Sequence, residues 1–337
     1  SSPMNLSFPA FQCLTALLRA LGTLAAVVLL GAAAASAALA RWPASQAIRL
    51  VVGVGPGVGA DIPARLLAQG LEAELGEPVI VDNRPGAEGF IAARQVASAP
   101  PDGRTLLFAF GSQFAINPAI FASLPYDPQR DFAPITLLAR PPALVVVHPS
   151  LPVTTLRELA DYTRAHPSTV NYGTGTNTFM LIAESFKLRT GADMQHVPFN
   201  GAGQAHTALL AGTVQVSVLP GVGVIGSAQA GRIRALAVSG DKRLRQLPGV
   251  PTFAESGQAD EVPVWNALLA PAGTPPRVVG MIRAAVLRVL AQPSIRERWT
   301  ADGDVIVGST PEELAETILR DTERMKALVQ TIALPPR

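Results

Sequence analysis

The sequence Ile48-Arg49-Leu50-Val51-Val52-Gly53-Val54-Gly55-Pro56-Gly57-Val58-Gly59-Ala60-Asp61 runs from an apolar, strand-like segment into glycines, and then into the amphipathic helical pattern Asp61 to Leu75. Glycines at such a junction let the backbone turn tightly, and the amide N–H groups that open the helix can then point at an anion. A carboxylate or a phosphate suits that arrangement. The spacing includes Gly55-x-Gly57 but lacks the final glycine of a dinucleotide fingerprint, and no Lys-Ser/Thr pair completes a P-loop. Asp61 has two readings: it orients the loop and helix start, as Asp is favoured to do there, or it touches a ligand amine or hydroxyl.

The same alternation continues outward. Strand-like runs occur at Val79 to Asp82, Thr105 to Ala109, Ala143 to His148, Val170 to Gly173, Val214 to Leu219 and Ile233 to Val238. Between or after them lie the helical patterns Phe179 to Leu188, Ala202 to Ala211 and Pro276 to Ala291. A last helix is predicted from Pro311 to about Gln330, with Thr310 as N-cap and Glu313 in the capping-box position. This order predicts an α/β fold with mostly parallel sheets, and the absence of a 20–50-residue repeat excludes a solenoid. Arg140-Pro141-Pro142 and Val262-Pro263 read as the two places where the chain crosses between lobes and where a hinge could form.

Two more strand-to-helix loops resemble the first. Tyr172-Gly173-Thr174-Gly175-Thr176-Asn177-Thr178 concentrates hydroxyls and backbone donors with no basic side chain, and Pro198-Phe199-Asn200-Gly201-Ala202-Gly203 leads into another helical pattern. Anion binding there would rest on neutral donors and helix dipoles. Open α/β sheets bind ligands at the C-terminal ends of their strands, so three such loops together carry more weight than one. Ser112 and Gln113 follow the strand Thr105 to Ala109 at the same edge. The candidate ligand-binding set is therefore Pro56, Gly57, Val58, Gly59, Asp61, Ser112, Gln113, Thr174, Gly175, Thr176, Asn177, Thr178, Phe199, Asn200 and Gly201. Trp265 either walls the cleft at the second crossover or anchors its lobe.

Catalytic and metal constellations are poor. His148, His166, His196 and His206 show no His-x-x-x-His spacing, there is no Gly-x-Ser-x-Gly elbow, and no loop pairs two carboxylates for glycoside chemistry. No catalytic residue, metal or cofactor is predicted. The net charge of +2 and the lack of a basic tract argue against nucleic acid as partner. At the N-terminus, Leu14 to Ala40 is apolar with one charge, Arg19, and Ala38-Leu39-Ala40 precedes Arg41-Trp42-Pro43. That layout predicts an export signal over residues 1–40 cleaved near Ala40, with a retained membrane anchor as the alternative. Cys13, the sole cysteine, falls inside it, so the mature chain is predicted to be soluble and free of disulfides.

The chain resembles the periplasmic solute receptors of tripartite tricarboxylate transporters, the Bug family. The resemblance is carried by Trp42-Pro43, Val81-Asp82-Asn83-Arg84-Pro85-Gly86-Ala87, Pro101-Asp102-Gly103-Arg104-Thr105-Leu106-Leu107 and Leu124-Pro125-Tyr126-Asp127-Pro128. It continues through Leu247-Pro248-Gly249-Val250-Pro251-Thr252, Trp265 and Ala270-Pro271-Ala272-Gly273-Thr274-Pro275. It implies a two-lobed type II periplasmic binding protein fold, with residues 41–141 and 264–337 in one lobe, 142–263 in the other and the ligand cleft between them. It further implies a periplasmic receptor that delivers a small carboxylate, held by loops and ordered water, to the permease subunits; a monomer suits a receptor that must open and close, and the missing nucleophile-base set argues against catalysis. A sensory receptor for a membrane signalling partner, or an enzyme on the same fold, are the alternatives. Against the family pattern, Val58 stands where a second glycine is usual, the loop after Tyr172 is about two residues short, and Met180 replaces a common histidine. These departures point to a more apolar or differently sized carboxylate.

Overall fold

The computed structural model describes residues 47–333 except 58, 260 and 261. The predicted export signal and Val58 lie outside the described residues. The strands in chain order are β1 (Ile48–Val52), β2 (Val79–Asn83), β3 (Thr105–Phe110), β4 (Phe132–Arg140), β5 (Ala143–Val147), β6 (Asn171–Thr174), β7 (Gln195–Pro198), β8 (Val216–Pro220), β9 (Arg234–Val238), β10 (Asn266–Pro271) and β11 (Val305–Ile306). The helices are α1 (Asp61–Leu75), α2 (Phe90–Ala97), α3 (Asn117–Ile120), α4 (Leu156–Ala165), α5 (Asn177–Thr190), α6 (Ala202–Leu210), α7 (Val224–Gln229), α8 (Pro276–Ala291), α9 (Pro293–Thr300) and α10 (Pro311–Thr331).

Two sheets result, one six-stranded in the order β11-β4-β10-β3-β1-β2 and one five-stranded in the order β7-β6-β8-β5-β9. Helical crossovers make β1 parallel to β2 and β3, and β6 parallel to β7 and β8. The sheets are mixed, however, rather than mostly parallel. Pro141-Pro142 turns β4 directly into β5, which runs antiparallel to β8 and β9, and the returning β10 runs antiparallel to β3 and β4. β4 escaped the sequence reading because Pro134 interrupts it. Pro has no ladder N–H, and it is tolerated opposite Leu269 beside a register shift between Leu268 and Leu269.

The helix boundaries follow local chemistry. α5 begins two residues before its apolar pattern and ends at Gly191, whose φ of 68° suits a left-handed cap. α10 opens with the predicted capping box: Glu313 N donates to Thr310 Oγ1 at 3.1 Å, and Thr310 N donates to Glu313 Oε2 at 2.8 Å.

Two apolar clusters concern the cleft. Val51, Leu107, Ala109, Phe114, Leu137 and Trp265 pack with Leu314 and Ile318 from the first half of α10. Val145, Tyr172 and Val216 of the second sheet and Phe179 of α5 share a cluster with Ile116, Ile120 and the α10 residues Met325, Leu328 and Val329. Trp265 is fully buried, and its indole N–H donates to Asp321 Oδ2 at 3.0 Å. Trp265→Phe removes that donor from a buried carboxylate and leaves a small void, and is expected to cost about 2 kcal/mol in urea unfolding. A change under about 0.5 kcal/mol would show that the arginines beside Asp321 suffice.

Candidate functional site

A cavity of about 550 Å³ lies between the two sheets. Its walls are the segments that leave the C-terminal ends of β1, β2 and β3 on one side and of β6, β7 and β8 on the other. The position is the one that parallel α/β strands provide for ligands. Pro141, Pro263, Val264 and Trp265 of the two crossovers close the back. Trp265 thus serves both as cleft wall and as anchor.

In the first loop Gly55, Gly59 and Ala60 line the cavity, whereas Pro56 and Gly57 are exposed and do not. Asp61 is fully buried and does not line it either. Its carboxylate accepts from Gly57 N at 2.6 Å, Asn83 Nδ2 at 2.8 Å and Arg65 Nε at 2.8 Å. Burial alone would raise its pKa, but these hydrogen bonds outweigh burial and hold the carboxyl below its ordinary value. Of its two predicted roles the structure shows loop orientation, since the carboxylate is taken up by the loop itself.

Ser112 lines the cavity at the end of β3, and Gln113 sits behind it. Gln113 Oε1 accepts from Phe110 N and its Nε2 donates to Gly89 O, both at 2.9 Å, so it ties two loops together. In the second loop Gly175, Thr176 and Thr178 line the cavity. Thr174 lies behind them with Oγ1 2.8 Å from His196 Nε2, and Asn177 is buried without lining the wall. Phe199, Asn200 and Gly201 of the third loop all line it. Gly175 and Gly201 are in backbone contact: a Cβ on Gly175 would lie 2.1 Å from Gly201 C and 2.3 Å from Ala202 N.

The starts of α1, α5 and α6 face this space, and none is capped by the side chain of its own N-cap residue. By contrast α4, which begins elsewhere, is capped by Thr155. Such a start places the positive end of the helix dipole at the cavity, although in α1 Ile62 N already donates to Gly59 O at 3.3 Å and Pro63 has no N–H.

Several lining residues were not expected from sequence. Pro85 to Gly89 form one edge, and Glu88 in that segment has φ 51° and ψ 30°. Pro220 and Val222 follow β8, and Arg298, Trp299, Asp302 and Asp304 come from the end of α9 and the turn before β11, so that, against expectation, one turn does pair two carboxylates. Asp302-Gly303 reads as a turn, but nothing local signals that it abuts the second sheet. It does so closely. A Cβ on Gly221 would meet Asp302 O at 2.2 Å, and Gln246 Nε2 donates to Thr300 O at 3.0 Å and Ala301 O at 2.8 Å. Burial raises the pKa of Asp302, against a lowering hydrogen bond from Gly223 N–H. Burial pushes Asp304 up to about 7, with a smaller raising contribution from the Asp302 charge. Among the described residues no group of three or more His, Cys, Asp or Glu side chains is placed to hold a metal.

The sequence model of the family described as "Tripartite tricarboxylate transporter family receptor" matches residues 63–334. Protein BugT of Bordetella pertussis is 32% identical over 86% of this chain and 90% of its own. A Rhodopseudomonas palustris protein, Rpa4515, solved with adipate, superposes with TM-score 0.83 at 32% identity, over 88% of this chain and 100% of its own. MatC of the same organism, with bound malate, gives TM-score 0.78 at 30% identity over 84% and 98%. The family model begins after β1 and the first cavity loop and runs through every later strand of both sheets. With the family pattern carried through nearly the whole described chain, this protein belongs to the receptor family of tripartite tricarboxylate transporters, the Bug family.

Proposed function

We propose that this protein captures one small carboxylate in the cavity between its sheets, releases it unchanged, and presents the loaded form to membrane permease subunits. The observation that carries the reading is the convergence of three helix starts, α1, α5 and α6, none capped by its own N-cap side chain, on one cavity at the strand C-termini. Backbone N–H groups and the hydroxyls of Ser112, Thr176 and Thr178 would hold the carboxylate with no arginine among them. Relatives solved with adipate and malate support the ligand class.

In this reading residues 41–141 and 264–337 form one lobe and 142–263 the other, and capture is closure about Pro141-Pro142 and Pro263. The direct contacts are Gly59, Ser112, Gly175, Thr176, Thr178, Phe199, Asn200 and Gly201. Asp61, Gln113 and Thr174 position them. The protein acts as a monomer in the periplasm, exported by the segment ahead of residue 41.

The test is a thermal-shift screen of the protein against a carboxylate panel, with ligand recovered afterwards. A true ligand at 100 times its Kd should add about 2.7 kcal/mol to stability. A shift with an uncharged solute alone would sink the ligand class. Recovery of a converted product would establish an enzyme instead.

A further inference from the structure

Glu88 belongs to the first sheet's side of the cavity, yet its carboxylate reaches the second. Its Oε2 lies 3.4 Å from the backbone N of Asn177, the first residue of α5. The backbone there is unusual: Ala87 and Glu88 have φ of 46° and 51°, and Gly89 has φ 84°. Left-handed conformation at two successive non-glycine residues costs free energy and persists only where neighbours impose it. The neighbours are identifiable, since Asn117 Nδ2 donates to Glu88 O at 3.1 Å and Gln113 Nε2 donates to Gly89 O at 2.9 Å. A strained segment is thus pinned so that an acidic side chain projects across the cleft onto a helix start. The rest of the lining is acidic as well, with Asp302 and Asp304 against one cation, Arg298, among the described residues.

We propose that Glu88 sets the ligand class by holding, as a built-in carboxylate, the place at the start of α5 that a second ligand carboxylate would need. The protein therefore takes monocarboxylates whose far end is uncharged or carries an ammonium group, in preference to dicarboxylates of the same length. This rests on the carboxylate-receptor reading above. A monoanion is held at the start of α6 and by the hydroxyls of Ser112 and Thr176, and leaves Glu88 where it is. A dianion must displace Glu88 or sit against it, and two like charges a few ångströms apart in a partly dry cleft repel strongly.

The test is isothermal titration of the full chain with matched acids of four to eight carbons, each length offered as the monocarboxylate, the ω-amino acid and the dicarboxylate. Wild type, Glu88→Gln and Glu88→Gly are compared. Glycine also relieves the left-handed backbone, so a folding defect in one variant is not shared by the other. In wild type the best monoanion should bind at least about tenfold tighter than its dicarboxylate, and in both variants that preference should fall by about tenfold through tighter dicarboxylate binding. An unchanged preference in both variants overturns the proposal and leaves the receptor reading intact. Absence of binding by every acid in all three proteins overturns the carboxylate reading and this proposal with it.

Discussion

Gly175→Ala is expected to lower stability by about 4 kcal/mol and to abolish the ligand-induced thermal shift. The added Cβ would sit 2.1 Å from Gly201 C, 2.3 Å from Ala202 N and 2.5 Å from Gly201 O, all of them backbone atoms. A flexible side chain could swing away, but these atoms cannot. Ala202 opens α6, Gly201 N is bonded to Phe199 O at 3.0 Å, and Phe199 N is bonded to Thr174 O at 2.9 Å. Relief requires the second and third loops to part, and both line the cavity. Urea unfolding and the carboxylate screen measure the two effects separately. A variant within about 1 kcal/mol of wild type with an undiminished shift would mean that the loops can separate freely.

The second large effect concerns Asp304. Burial raises its carboxyl from an ordinary 3.8 to about 7 in the folded chain. The nearby Asp302 charge adds to the rise, and the Trp299 indole N–H opposes it without a well-formed hydrogen bond. The sign follows from proton linkage. Between about pH 4 and pH 7 the folded state binds more protons here than the unfolded state, so stability from this group falls as pH rises through that window. Above it the penalty is complete. Asp304→Asn cannot ionise, so at pH 8 it should be more stable than wild type by about 3 kcal/mol, allowing for the group's partial exposure. Near pH 4 the two proteins should be nearly equal. Urea unfolding at both pH values is the measurement, and a stability difference that does not change with pH would refute the assignment.

Where the signal was local, the sequence was readable. β1 and its loop show as an apolar run ending in glycines, and the capping box of α10 shows in the spacing of Thr310 and Glu313. The three strand-to-helix loops could be placed at the C-terminal ends of their strands because a common rule puts ligands there, but that they come from two facing sheets is seen only in the fold. What stayed hidden depends on distance along the chain or on side-chain direction. Asp61 reads as orienting its loop or touching a ligand, and Gln113 as a polar loop residue; the fold shows the Asp61 carboxylate bonded to its own loop and Gln113 tying two loops together. Glu88 meets Asn177 across 89 positions of chain, and Asp302 meets Gly221 from the far side of the second crossover. β4 was concealed by Pro134, a residue that argues against a central strand until its register shift is seen.

α10 contributes Leu314 and Ile318 to the first sheet's cluster and Met325, Leu328 and Val329 to the second's. When that helix packs then matters. Neither core is whole until α10 has docked, so both sheets carry unfinished apolar faces until it does. A folding chain in that condition remains a substrate for chaperones, and settling of the two halves is deferred to the docking of one helix.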